Sequence, residues 1–501
     1  MTADEHAGRS SPSDRSRSLL LEADRLRLAY HAASEEFQHA VGVPEALLEA
    51  LEQAEQPFRE DRYSRRDVLD VPSTGDLGAE ATAGLEALSS LVDPEWLRKE
   101  GRKPYRLDDR YLAAPLHLVG GLRTRKPAER PQRFAQMLLV CTDHLDKRSE
   151  LDFFEAPTMV TEVAALGTRL NELRELGPEA LAKFRRLSTM TDEEVSSTVY
   201  ELLVGTAGVR KGLALEMLTP DGSRRTPEYR LHNIGVPASM ECKRRLGLSQ
   251  YEWKEAGHVE ILFEAIRGQL ADRHLSLEVQ FSAEITTVTP GDFSGAIVPL
   301  FRGDTDRRQV DTSWGTVAVE ALPYSLDLPR TRLFSPDYLA RAFGWRDGAE
   351  WDGLSCEVDP VESILVRSVK NPRCLKWVSK SATAILKKSR GITSLWGRAT
   401  QQIPSGDLGF VYIAYPESNR DAVADARTQE IRDACNRWVH RWSMLIGATF
   451  INRLYPRALG VGVPDFIEST MPIVAAGDEH LLGMLPSCVF VPALRRRDTR
   501  K

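Results

Sequence analysis

Cysteine is scarce in this sequence and is not clustered. Six cysteines occur among 501 residues, and no two of them form a C-x-x-C pair. That pattern argues against a zinc ribbon and against a disulfide scaffold, so reduced thiols in a cytoplasmic protein are expected. No run of about 18 apolar residues is present, and the first residues lack the apolar core of a signal peptide, so no membrane association is expected.

Common nucleotide-binding and zinc-protease motifs are also absent. The chain has no P-loop, no HExxH and no GxGxxG that leads into a helix. Its formal net charge is −6, so a nucleic-acid partner would need a local basic surface. With 42% hydrophobic and 28% charged residues, the composition is typical of a soluble globular protein of two to four domains.

One stretch alternates with the two-residue period of a β-strand. From Val236 to Lys243, one face collects apolar residues and the other collects polar ones. The first face holds Ala238, Met240 and Cys242, and the second holds Ser239, Glu241 and Lys243. Because Glu241 and Lys243 are two residues apart, a strand places both on one face at a spacing of about 7 Å.

A second acidic residue is predicted to face this strand across a β-hairpin. The turn is predicted at Asn233–Val236, centred on Ile234 and Gly235. With that register, Glu228 lies directly opposite Glu241, where Cβ atoms are about 5 Å apart and like charges repel. Such a pair is tolerated when a cation sits between the carboxylates or when one of them is protonated.

Together the two segments resemble a known signature. Pro227-Glu228, followed by Glu241-Cys242-Lys243, is similar to the Pro-Asp … (Asp/Glu)-x-Lys signature of the restriction-endonuclease-like, or PD-(D/E)xK, nuclease superfamily. Upstream, residues 200–204 resemble the first core helix of that family, whose glutamate, here Glu201, often helps to hold metal. The resemblance covers residues 191–274 and, more loosely, the C-terminal third. One position departs from the pattern, because the family's first acid is usually Asp and Glu228 is one methylene longer.

The resemblance implies metal-dependent hydrolysis of phosphodiester bonds. Mg²⁺ or Mn²⁺ would be held by Glu228, Glu241 and the backbone carbonyl of Cys242, with Glu201 helping directly or through water; hard carboxylate oxygens suit these ions. Such an ion positions a water and lowers its pKa, while Lys243 orients that water or stabilises the new negative charge. Glu228, Glu241 and Lys243 are therefore the predicted catalytic residues. The Cys242 thiol belongs to the inward face and is expected to pack in the core.

Four basic residues are candidates for contacts with nucleic-acid phosphates. Arg244 and Arg245 directly follow the predicted site, and arginine matches phosphate bidentately. Lys380 and Lys387 stand in a segment, Leu375–Lys388, that is predicted to be helical and rich in lysine. The alternative interpretation is that these residues are a solvated strand end and a solvated helix face.

The predicted fold is α/β (α+β), with a restriction-endonuclease-like mixed-sheet core behind a mainly helical N-terminal domain. Residues 1–17 are polar and Ser-rich, which predicts a disordered lead. Residues 18–190 predict a helical domain that supplies no metal ligand. Residues 191–501 predict the nuclease-like domain, with an insertion at about 283–359.

The start of the nuclease-like domain has a predicted order of elements. Two capping boxes, Thr191-x-x-Glu194 and Ser249-x-x-Glu252, mark the beginnings of two helices. Between them a strand and the hairpin are expected, and a further strand follows the second helix. The strand that carries Glu241 is expected in the interior of the sheet.

These patterns favour a nuclease that acts on DNA, or as a second choice on RNA, with Mg²⁺ or Mn²⁺. Two alternatives remain open. In the first, Glu228 marks a catalytically degenerate nuclease fold that binds nucleic acid or protein. In the second, the helical half is the active module and the α/β half is its scaffold. A homodimer is compatible with the sequence, which does not specify an oligomeric state.

Overall fold

The computed structural model shows a mixed α/β chain and describes most of its length. The predicted disordered lead at 1–17 and the helical pattern that follows it lie outside the described residues. The described residues are 63–65, 69–72, 77–104, 115–119, 122–124, 129–146, 155–220, 225–245, 247–271, 273–302, 307–322, 331–344, 351–359, 365–367, 370–416, 421–442, 445–459, 463–475 and 480–490.

The strands form two mixed sheets and one small two-stranded pair. In chain order the strands are Tyr63–Arg65 (β1), Leu69–Pro72 (β2), Leu116–Val119 (β3), Leu122–Arg123 (β4), Ala214–Met217 (β5), Tyr229–His232 (β6), Ala238–Arg244 (β7), Leu275–Phe281 (β8), Arg307–Thr312 (β9), Gly315–Ala321 (β10), Thr331–Arg332 (β11), Gly353–Glu357 (β12), Leu365–Val366 (β13), Arg373–Ser379 (β14), Leu408–Pro416 (β15), Leu445–Leu459 (β16) and Val463–Ala475 (β17). The first sheet has the order β1-β17-β16-β15-β7-β6-β5, with β2 also paired to β17. The second has the order β4-β3-β12-β14-β8-β10-β9, and β11 pairs with β13.

Helices cover the N-terminal part and connect the strands of both sheets. They are Leu77–Ser89 (α1), Pro94–Glu100 (α2), Arg133–Leu145 (α3), Ala156–Gly167 (α4), Leu170–Glu175 (α5), Pro178–Arg185 (α6), Asp192–Arg210 (α7), Gln250–Leu270 (α8), Pro290–Ile297 (α9), Pro336–Phe343 (α10), Ala382–Thr400 (α11), Asp421–Trp442 (α12) and His480–Met484 (α13). Both predicted capping boxes are present, at the starts of α7 and α8. Each satisfies backbone N–H groups that the first helical turn leaves without a partner.

The predicted hairpin is present with the predicted register. Strands β6 and β7 are antiparallel, and Tyr229 pairs with Met240. The turn between them uses the left-handed backbone region at Asn233 (φ 64°) and Gly235 (φ 79°), a conformation that glycine and asparagine tolerate best. That register directs Glu228, one residue before β6, toward Glu241 on β7.

Strand β7 lies in the interior of the first sheet, as predicted, between β6 and β15. Strand β15 is parallel to β7, and Val411 pairs with Glu241. Helix α11 packs against both β7 and β15. A parallel neighbour needs a crossover connection, and here the connection extends from residue 245 to residue 407.

Most strands of the second sheet lie within that connection. The strand predicted after α8 is present as β8, but it pairs with β14 and β10 and not with the hairpin sheet. The segment 283–359, expected as an insertion, supplies β9, β10 and β12 to this same sheet. Strands β8 and β14 of the same sheet lie before and after this segment in the chain. The second sheet therefore extends beyond the bounds of 283–359 that were predicted for an insertion.

One helix prediction was wrong at its start. Residues 375–379 belong to strand β14, and the helix begins only at Ala382, with Ser381 as its N-cap. Strand β14 has neighbours on both sides and is buried from Cys374 to Ser379. A strand buried on both faces has no polar alternation, so its pattern cannot be told from that of a buried helix. Lys380 therefore lies in the link between strand and helix.

The N-terminal helices share a hydrophobic core with the first sheet. Buried side chains of α1, α3, α4 and α6 form one cluster with those of α7 and with the inward residues of β6, β7 and β15. On β7 the inward residues are Ala238, Met240 and Cys242, as the alternation predicted. The N-terminal helices thus form one wall of the region that surrounds the hairpin.

Candidate active site

Four predicted residues converge at one place beside the hairpin. Glu201 lies on α7, Glu228 directly precedes β6, and Glu241 and Lys243 lie on β7. The side chains of Glu201, Glu228 and Glu241 are 11%, 14% and 0% exposed, respectively. Three carboxylates held together with so little solvent create a strong demand for positive charge.

Glu241 is the most enclosed of the three acids. Its Oε2 atom accepts a hydrogen bond from the backbone N–H of Glu228 over 3.1 Å, and its Oε1 atom pairs with the Lys243 ammonium. Burial raises the pKa of Glu241 to about 8; Lys243 acts against that rise, and the charge of Glu228 adds to it. The protein therefore holds this carboxyl in a site where its charge is only partly compensated.

Glu201 is positioned by a close approach of α7 to β6. The hydroxyl of Tyr229 donates to the backbone carbonyl of Glu201 over 2.9 Å. A Cβ atom at Gly205 would lie only 2.4 Å from that hydroxyl oxygen, so the helix can approach this closely only because residue 205 is glycine. Burial, followed by the charge of Glu228, raises the pKa of Glu201 to about 7.

A lysine that the sequence did not single out lies between two of the acids. Lys183, on α6, places its Nζ atom 2.9 Å from Oε2 of Glu201 and 2.5 Å from Oε2 of Glu228. Burial acts to lower the pKa of Lys183, but the charges of Glu201 and Glu228 outweigh it and raise that pKa. The ammonium therefore remains charged and bridges the two carboxylates.

One sequence signal could have identified Lys183. Ala180 and Phe184 on α6, and Leu187 just after it, mark the buried face at helical spacing, and Lys183 stands beside Phe184. A lysine next to a buried face needs a partner when it cannot reach water. This pattern marks Lys183 as a lysine that needs an acidic partner, but it does not indicate that Glu201 and Glu228 are that partner.

Cys242 packs as expected. Its side chain lies in the hydrophobic core, and burial raises the pKa of its thiol well above the ordinary value. A buried thiol that keeps its proton is a poor nucleophile. The predicted metal role of Cys242 therefore involves only its backbone carbonyl.

The predicted phosphate contacts are largely engaged within the protein. Arg244 pairs with Glu162, and Arg245 lies 3.2 Å from Glu252. Lys387 pairs with Glu284 at 2.6 Å. Lys380 is exposed. A phosphate would have to compete with a carboxylate at three of these four positions, so sequence alone overstated how available they are.

The donor atoms at the site suit a hard divalent cation, but they are not assembled around a metal position. When all three are ionised, the carboxylates carry charge −3, and Lys183 and Lys243 together return only +2. Carboxylate oxygens are the preferred ligands of Mg²⁺ and Mn²⁺. In the part of the chain that the structure describes, however, no group of three or more His, Cys, Asp or Glu side chains is arranged to hold a metal ion. The carboxylates are thus of the type that these ions prefer, but Lys183 bridges two of them and the three are not arranged around a metal position.

Two broader observations complete the description. None of the helices formed by the described residues has the length and apolar character that a membrane span requires. No family model, no curated protein and no solved structure matches this chain.

Proposed function

We propose that this protein is a metal-dependent nuclease that hydrolyses phosphodiester bonds in DNA, built on a restriction-endonuclease-like core. The observation that carries the proposal is the convergence of Glu201, Glu228, Glu241 and Lys243 beside one hairpin. Their joint placement also favours the α/β half as the active part over the alternative in which the N-terminal helices act alone.

The order of elements supports the same proposal. Helix α7, strand β5 and the hairpin of β6 and β7 follow one another in the order that the resemblance implies, with the Glu241 strand inside the sheet. The acid before β6 and the acid on β7 face each other, as the Pro-Glu and Glu-x-Lys segments require. The Glu in place of Asp at position 228 is accommodated by a contact with Lys183.

Each residue has a chemical role in this proposal. Glu228, Glu241 and the carbonyl of Cys242 would hold Mg²⁺ or Mn²⁺, with Glu201 helping. When bound, that ion supplies a Lewis acid that activates water and screens charge on the phosphate. Lys243 places its ammonium at the edge of Glu241, where it orients the water that attacks phosphorus. The same ammonium stabilises the negative charge that builds up as the ester oxygen leaves.

A second candidate function is supported by Lys183. Its ammonium already neutralises part of the charge of Glu201 and Glu228, as a metal ion would in an active nuclease. A nuclease fold that replaced its metal with a lysine would bind nucleic acid or protein without cleaving. This candidate and the nuclease differ in whether the protein turns over DNA.

Incubation with plasmid and single-stranded DNA, in Mg²⁺, Mn²⁺ or EDTA, tests the proposal. Wild type is compared with Lys243→Ala and with Lys254→Ala, which removes an exposed lysine on α8. We expect wild type to cleave DNA and EDTA to stop that cleavage. We expect Lys243→Ala to lose the activity and Lys254→Ala to keep it. DNA binding without cleavage under every condition would instead support the binding function. Neither binding nor cleavage would reject the DNA nuclease and the DNA-binding form of the second candidate.

A further inference from the structure

Lys183 reaches the site from outside the hairpin that carries the acids. It lies on α6, and its side chain is 10% exposed. Its Nζ atom lies within hydrogen-bond distance of both Glu201 and Glu228, at 2.9 and 2.5 Å. A single ammonium thus joins two carboxylates that are brought together from α7 and from the start of β6.

The space between those two carboxylates cannot hold the ammonium and a divalent ion at once. Mg²⁺ binds carboxylate oxygen at about 2.0–2.1 Å, so an ion shared by Glu201 and Glu228 would occupy nearly the position of the Lys183 Nζ atom. Two positive centres about 3 Å apart repel strongly in a region shielded from water. Lys183 and the metal are therefore competitors for Glu228, a proposed metal ligand, and for Glu201, which would help to hold the ion.

This inference rests on the proposed function and concerns the residue that controls it. We propose that Lys183 is a built-in counter-ion, which holds Glu201 and Glu228 together in the metal-free protein and must be displaced before a divalent ion binds. The flexible four-carbon side chain allows the ammonium to leave while α6 stays in place. The apparent affinity for a divalent ion is therefore set by how much more tightly the carboxylates bind that ion than they bind the Lys183 ammonium.

Calorimetric titration with Mn²⁺, in the absence of DNA, tests this competition directly. The variants are Lys183→Met, which keeps an unbranched side chain of similar length and removes its charge, and Arg185→Met, which removes an exposed cation from the same helix. Lys183→Met is expected to bind Mn²⁺ at least tenfold more tightly than wild type. Arg185→Met is expected to match wild type.

Thermal unfolding with and without Mn²⁺ provides a second readout. In metal-free Lys183→Met, the carboxylates of Glu201 and Glu228 lose their counter-ion, so the melting temperature should fall below that of wild type. Addition of Mn²⁺ should then raise the melting temperature of the variant more than it raises that of wild type. Lys183→Gln, which is uncharged but keeps a hydrogen-bond donor, serves the same comparison if the Met variant does not fold.

The outcomes separate this inference from the proposed nuclease function. Equal or weaker Mn²⁺ binding by both Lys183 variants, or no binding by any variant, would overturn the counter-ion role. Tighter binding by the variants would establish that role even if no form of the protein cleaves DNA. In that case the competition would stand and the nuclease proposal would fail.

Discussion

The backbone N–H of Glu228 donates a hydrogen bond to the Oε2 atom of Glu241 over 3.1 Å. The bond ties the residue before β6 to a carboxylate on β7, so the two acids that resemble the nuclease signature are held in a fixed relation by the main chain. Because the other oxygen of Glu241 pairs with Lys243, this carboxylate is oriented from both sides. The contacts of Glu241 within the protein therefore fix the direction of its carboxylate.

The pH dependence of stability should report the enclosed acids. A carboxyl whose pKa rises on folding stabilises the folded state fully below its unfolded pKa, near 4.5, and loses that contribution as pH rises through its folded pKa. For Glu241 and Glu201 the folded pKa values are about 8 and about 7. In EDTA, the free energy of unfolding should therefore fall between about pH 5 and pH 8.

Glu241→Gln should flatten this dependence, because the amide carries no titrating proton. Urea unfolding at several pH values measures the effect. Glu193→Gln, at an exposed position on α7, is the matched control and should keep the slope of wild type. Identical slopes for wild type and Glu241→Gln would mean that Glu241 ionises at an ordinary pH in the folded protein.

Substitutions of the two residues of the Glu-x-Lys segment should differ in effect: one should affect metal binding and the other the rate of cleavage. Glu241→Ala is expected to abolish Mn²⁺ binding, because the remaining acids cannot enclose a hard cation. Lys243→Ala should bind Mn²⁺ much as wild type does and should cleave on the order of 10²–10³ times more slowly, as expected when a transition-state contact is lost. Titration and single-turnover cleavage give the two values. Loss of Mn²⁺ binding in Lys243→Ala would show that the lysine organises the site instead.

Glu228→Asp restores the usual acid of the resembling family and tests whether Glu228 is adapted to this site. Glu228 reaches Lys183 at 2.5 Å, and a side chain shorter by one methylene would draw back from it. At saturating metal, where release from Lys183 no longer limits metal binding, kcat/KM for cleavage should be unchanged or lower, because the shorter carboxylate reaches less far toward an ion held with Glu241. Cleavage that appears only in the Asp variant would show that the wild-type site has degenerated. Absence of cleavage from both, on every nucleic acid and metal tried, would favour the binding function.

The close approach of α7 to β6 predicts a sharp difference between two glycine substitutions. In Gly205→Ala the new Cβ would lie 2.4 Å from the hydroxyl oxygen of Tyr229, a fully buried side chain. This overpacking should destabilise the protein by about 1–3 kcal/mol. Gly257→Ala, at an exposed position on α8 with no atom within 4 Å of the new Cβ, should be neutral or stabilising by up to about 1 kcal/mol. Urea unfolding compares them, and a Gly205→Ala protein as stable as wild type would contradict the packing described.

The hairpin could be predicted from sequence because its determinants are local. Asn233 and Gly235 set the turn, the turn sets the register, and the register places Glu228 opposite Glu241. The same holds for both capping boxes, which depend on residues three positions apart. Short-range rules were sufficient wherever the relevant partners lay within one hairpin or one helical turn.

The features that sequence missed depend on distant partners. Lys183 is 45 positions before Glu228, and no periodic pattern links them. Strand β14 is buried on both faces, so its apolar run predicted a helix. The pairing of Arg244 with Glu162 spans 82 positions, and a phosphate at Arg244 would have to compete with that carboxylate. In each case tertiary packing, and not local preference, decided the role of the residue.

The parallel pairing of β7 with β15 has a consequence for synthesis of the chain. Strand β7 ends at Arg244, and the strand that completes its second edge begins at Leu408. At about 5–20 residues per second, translation of the intervening segment takes roughly ten to thirty seconds. During that interval the strand that carries Glu241 has an unpaired edge, the kind of surface on which nascent chains aggregate. The second sheet, encoded mainly within this interval, therefore has time to form first, and the strand at the centre of the site is among the last to be enclosed.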